Sequence, residues 1–209
     1  MRVDDYKNAI KLAAAELRQR DPSDVARAGG AAFADGSLRF SYMLREAAIA
    51  TPAWTVSWAP PRQDEEFPLT DQVLALHYFQ GATNLGLTGE FIAYREFPGG
   101  EFYFDAFRRR AETPLAQAFG RERGLLTRAA AAMGGTERAG AGDEALLFRV
   151  LPHIEILLTL YWGDEEFEPA GGVLFDRVAG SYLSNEDLSW LGSALVYRLM
   201  GVAKGLSPA

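Results

Sequence analysis

The chain has 209 residues, 48% of them hydrophobic, 12% aromatic and 23% charged, and it contains no cysteine. That much apolar material builds a large core and excludes a disordered chain, while the missing thiols exclude disulfides, thiolate nucleophiles, zinc knuckles and iron–sulfur ligation. A net charge of −7 runs against nonspecific nucleic-acid binding, which depends on neutralising phosphates.

The opening MRVDDYKNAIKLAAAEL carries acids where a secretion signal carries bases. No stretch approaches the roughly 20 apolar residues that span a bilayer, so a soluble cytoplasmic protein without membrane contact is expected. The same opening reads as a helix, with Tyr6, Ile10, Ala13 and Leu17 on one stripe and Asp21-Pro22 as its stop. Ala31–Ala34 and Leu38–Leu44 flank Asp35-Gly36, whose residues tolerate the positive φ of a two-residue turn, and predict a hairpin. Trp54–Trp58 alternates aromatic and polar residues as an extended piece before Pro60-Pro61. Thr70 is placed to cap a helix through Val73, Leu74, His77 and Tyr78, ended by Gly81.

Phe91–Phe97 reads as extended, and Phe102–Phe107 as either a strand or the start of a helix. Thr113-Pro114 predicts a helix start, with the helix running past Leu115, Phe119 and Leu126 towards Met133 across Gly120 and Gly124. Gly134 to Gly142 reads as loop. Ala145–Leu151 and Ile154–Trp162 are predicted strands split by Pro152, and Val173–Phe175 a short third. Ser184 and Asp187 resemble a capping box ahead of the buried stripe Leu188, Leu191, Leu195 and Leu199. Strands that arrive in runs indicate α+β: a single domain over 1–209, with a mostly antiparallel sheet packed with three to four helices.

Charge is unevenly spread. His153 to Asp187 holds eight acids and one base, while Phe107 to Arg128 holds six arginines and two glutamates. Phosphate loops, dinucleotide fingerprints and nucleophile elbows are missing, and two histidines cannot make a three-histidine metal site. His77 lies on an apolar helix, as a packed histidine or as a base whose tautomer a carboxylate would fix. Arg109, inside Arg108-Arg109-Arg110, has the fork that matches an anion, although consecutive helical residues point apart. Asp164, Glu166 and Asp176 stand near strand ends, where carboxylates can hold a divalent cation. A simple hairpin register would set Asp164 and Asp176 about 14 Å apart, too far to share one.

LHYF at Leu76–Phe79, PLAQAFG at Pro114–Gly120, GDEEF at Gly163–Phe167, LFD at Leu174–Asp176 and YLSNEDL at Tyr182–Leu188 occur in this order. Together they resemble a prokaryotic family known as a domain of unknown function, numbered 3786. The resemblance covers most of the chain and points to His77, Tyr78, Asp164, Glu166 and Asp176 as family-type positions. Some relatives carry a cysteine-rich, iron–sulfur-like segment ahead of the domain, which implies a link to anaerobic redox metabolism. A chain without cysteine cannot take over the cluster itself.

Three functions follow as expectations. The first is a non-catalytic binding or accessory domain for a partner protein or a small cofactor, with His77, Tyr78 and Arg109 as ligand-binding candidates. It expects an exposed aromatic patch or a pocket. The second is a metal-dependent enzyme using Asp164, Glu166 and Asp176, with a divalent cation. The third is a structural homo-oligomer, such as a homodimer, with Trp54, Trp58 and the Phe102–Phe107 aromatics at a self-interface.

Overall fold

A computed structural model of the chain describes residues 3–206. Helix α1 (Val3–Leu17) buries Ala13 and Leu17, the C-terminal half of the predicted stripe, and Ala14 beside them. α1 stops at Leu17, short of Asp21-Pro22, and Asp21 starts the next helix: its carboxylate accepts from the amides of Ser23 and Asp24, and Pro22 occupies the first turn of α2 (Pro22–Ala28).

The first sheet is an antiparallel meander of β1 (Ala32–Ala34), β2 (Ser37–Tyr42), β3 (Arg45–Ala50) and β4 (Thr55–Trp58). Asp35 and Gly36 make the first turn at φ of 51° and 70°, as predicted. The second turn replaces the expected continuation to Leu44. Met43 and Leu44 both adopt left-handed φ, 49° and 64°, and return the chain as β3. The Met43 amide donates to the Val150 carbonyl and so joins this turn to the second sheet.

Helix α3 (Leu69–Gln80) begins after Pro68, so Thr70 sits inside its first turn and does not cap it. Gly81 ends it because the chain passes Tyr182 closely: a Cβ there would lie 2.1 Å from the Tyr182 carbonyl oxygen. Only 91–93 of the expected extended piece pairs, as β5 (Phe91–Ala93). The ambiguous aromatic stretch is helical, entering α4 (Phe104–Arg110) through a 3-10 turn. The long helix predicted from Thr113 is two helices, α5 (Glu112–Phe119) and α6 (Leu125–Met133). Gly120 packs against Pro169, where a Cβ would meet the proline at 2.1 Å, and Gly124 is left-handed at φ 75°. Both glycines break the rod.

The short β6 (Thr136–Glu137) lies within the expected loop. With β7 (Glu144–Leu151), β8 (Ile154–Tyr161) and β9 (Ala170–Asp176) it completes the second antiparallel sheet, ordered β5-β9-β8-β7-β6. β8 is central and buried on both faces from Ile156 to Leu160. Helix α7 (Asn185–Leu206) follows the predicted capping box: Ser184 Oγ accepts from the Asp187 amide and donates to its carboxylate at 2.7 Å. Its Leu188, Leu191, Leu195 and Leu199 are fully buried, each stabilising the fold by about 1.5–3 kcal/mol. The architecture is α+β with antiparallel sheets, and the helices beyond the predicted set are short. Buried residues of both sheets and of all seven described helices, Phe107 of α4 and Leu115 and Phe119 of α5 included, join one contiguous core. No helix among the described residues is long and apolar enough to cross a membrane.

Candidate functional site

Trp190 faces outward from α7 and is 37% exposed. Three adjoining hollows of about 300, 440 and 550 Å³ share it. The first is walled by α1, α3 and α7 through Tyr6, Ala9, Leu12, Val73, Leu74 and His77. The others extend the cleft along α7 to Ser193 and Tyr197 and across to Tyr103 and Arg110. Tyr6 meets Trp190 edge to face at 6.2 Å, making an aromatic corner. Tyr103 and Tyr197 are more than half exposed, so the cleft is bordered by rings with apolar bodies and polar tips.

His77 stands in the first hollow. Its Nδ1 lies 2.9 Å from the Asp187 carboxylate, whose other oxygen accepts from Ser184. The bond from Asp187 raises the imidazole above its ordinary 6.5; burial opposes it, and the charges of Asp187, Glu186 and Glu16 add to the rise. Nδ1 is committed, so any hydrogen bond to an incoming group falls to Nε2. The order Ser184–Asp187–His77 puts the hydroxyl on the carboxylate and not on the imidazole. It therefore does not activate a nucleophile.

The other expected site residues are dispersed. Tyr78 is fully buried; its hydroxyl donates to the Gly29 carbonyl and accepts from the His153 amide, and its ring stacks on Tyr182 at 5.2 Å. Burial pushes the phenol far up, so it serves packing and stays protonated. Arg109 is exposed on α4, and it is the next residue, Arg110, that reaches the Trp190 cleft. Asp164 closes a turn by accepting from the amides of Glu166 and Phe167, which lowers its carboxyl; the Glu166 side chain is exposed beside it.

Asp176 is wholly buried and takes four donors: the Thr88 amide and hydroxyl, the Gly89 amide and the Val178 amide. Burial works to raise its carboxyl, and these bonds outweigh it to give a lowered value. β9 is longer than the predicted three residues. Its register, Tyr161 with Ala170 and Ile156 with Phe175, carries Asp176 to the end away from Asp164. Six residues of strand separate the two ends, about 20 Å. Asp164, Glu166 and Asp176 are thus not brought together, and among the described residues no three metal-ligating side chains converge. Trp54 and Trp58 are 2% and 4% exposed inside this chain's own core, so neither is available to a self-interface.

Two polar clusters gave no sequence signal. Glu144 of β7 accepts from the Gly124 and Thr127 amides, the Thr127 hydroxyl and the Trp162 indole, and so caps α6 from outside. Asp71 of α3 accepts from the Tyr42 hydroxyl at 2.9 Å and is paired with Arg198 of α7.

Fold and site together define an α+β domain whose main concavity is an aromatic cleft with a tethered histidine. The chain belongs to the family described as a domain of unknown function (DUF3786), whose model matches residues 21–198. The match includes His77, Arg110, Asp187 and Trp190 and leaves out the α1 wall of the cleft. No curated protein and no solved structure matches the chain.

Proposed function

We propose that this domain is a cytoplasmic binding module without chemistry of its own, and that its site is the cleft around Trp190. The observation that carries this reading is one half-exposed tryptophan shared by three hollows and cornered by Tyr6. Rigid aromatics of this kind supply contact area at small entropic cost, which is how recognition surfaces use them. The ligand that fits has a planar or apolar body for Trp190 and Tyr6 and one hydrogen-bonding group for His77 Nε2. Among the described residues the metal-enzyme alternative finds no convergent carboxylates, and the homo-oligomer loses two of its interface tryptophans.

A nuclear magnetic resonance screen with planar aromatic fragments tests the proposal. Bound fragments are expected to shift the Trp190 indole and His77 signals, with Trp54, Trp58 and Trp162 still. Trp190→Ala should keep the circular dichroism spectrum and melting temperature and lose binding at least tenfold. Fragment shifts gathered elsewhere, or unchanged binding in the variant, would overturn it.

A further inference from the structure

A separate hollow of about 550 Å³ shares no lining residue with the Trp190 cleft. It opens between the β2–β3 turn, the end of β4 and the C-terminal parts of α6 and α7. Its lining has two characters. Met43, Leu44, Met133 and Val202 are apolar, while Arg45, Arg62 and Arg198 are basic, and no acid among the described residues lines it.

Two of the guanidiniums, those of Arg45 and Arg198, are held in place. Arg45 lies over the Trp58 ring at 4.0 Å and pairs with Glu65 at 2.7 Å; Arg62 approaches the same Glu65 at 3.8 Å. Arg198 is paired with Asp71. Three cations against two carboxylates leave one positive charge, in a protein whose net charge is −7. Asp64 and Glu66 neighbour Glu65 in sequence but do not line the hollow.

Two further features converge here. Met43 and Leu44 occupy left-handed φ in a two-residue turn that ordinarily takes Asn and Gly, so both lining residues carry strain. Arg198 Nη1 is buried without a hydrogen-bond partner among the described residues, although the side chain as a whole is 29% exposed. Strained backbone and unmatched buried donors gather where a ligand completes the structure.

We propose that this hollow binds a small organic carboxylate with an apolar tail. The head lies against the Arg62 guanidinium and Arg198 Nη1, the donors that Glu65 and Asp71 leave over, and the tail against Met43, Leu44, Met133 and Val202. This site is independent of the Trp190 cleft.

Calorimetry on the full chain decides it, with octanoate, octan-1-ol and inorganic phosphate as probes. Octanoate is expected to bind one to one and at least tenfold more tightly than either of the others. Equal binding of octan-1-ol would show that the charge is idle, and equal binding of phosphate that the tail is; either result, or no octanoate binding, overturns the proposal. Arg62→Gln alters a side chain that is 60% exposed, so the fold should keep its melting temperature while octanoate weakens about threefold to fivefold. Arg121→Gln, an exposed arginine paired with Glu168 outside this hollow, serves as the control and should leave affinity unchanged. An equal effect of the two variants sinks the assignment. Met43 and Met133 methyl signals should move with octanoate while the Trp190 indole stays; movement at Trp190 instead would place the anion in the other cleft and reject this one.

Discussion

Four donors aim at Asp176, and replacing one carboxylate oxygen by an amide would set N–H against N–H. Asp176→Asn is therefore expected to cost about 2–4 kcal/mol, seen as a lower urea midpoint at unchanged slope. A loss below about 0.5 kcal/mol would mean that the donors find other partners. A metal-ligand role for Asp176 and this structural role looked alike in the sequence, since both place an aspartate at a strand end. What separates them is Thr88, 88 residues away, which no local pattern reveals.

His77 gives a pH signature of the opposite sign to a carboxylate. Its folded pKa is raised above 6.5, so the stability it contributes is fully present below pH 6.5 and fades as pH rises through the folded value. Melting curves across roughly pH 5.5 to 8.5, a range set by that direction, should show this fall in the wild type. His77→Gln should flatten it, and a parallel fall in the variant would locate the titrating group elsewhere.

Among the elements, legibility followed turn chemistry. The Asp35-Gly36 hairpin could be read because those residues accept positive φ, whereas Met43-Leu44 makes the same kind of turn with residues that advertise none. β3 was hidden for that reason. The break between α5 and α6 was hidden in a similar way: the alanine-rich run kept its helical period, and Pro169, which requires Gly120, arrives 49 residues later. The missing cap of α6 is supplied across space by Glu144. Glu144→Ala should leave the Gly124 and Thr127 amides and the Trp162 indole without this acceptor, at a cost of about 2 kcal/mol. Hydrogen exchange reads the effect directly: the Thr127 amide should lose protection before those of β7 and β8, and retained protection there would refute the capping role.

At the scale of the molecule, the fold class was accessible because it depends on the order of elements, and the site was not because it depends on their assembly. The cleft joins Tyr6, His77, Arg110 and Trp190 from four helices. His77 was visible as a candidate, and the capping box pointed to Asp187, but nothing in either segment says that they meet at 2.9 Å. Trp190 gave no distinct signal, since its neighbours Leu188 and Leu191 made the whole stretch read as core. Arg110 differs from Arg109 only by a 100° turn of α4, which only the packed structure resolves.

The edges of the two sheets limit how this domain can meet a partner. The outermost strands β1, β4, β5 and β6 are three, four, three and two residues long. On β9, beyond its pairing with β5, the Val173 amide is turned towards the Glu112 carboxylate of α5. Edges this short give an extended peptide little backbone to zip onto and blunt edge-to-edge aggregation. A partner would then have to be met through side chains, where substitutions can alter the contact surface without disturbing the ladders beneath.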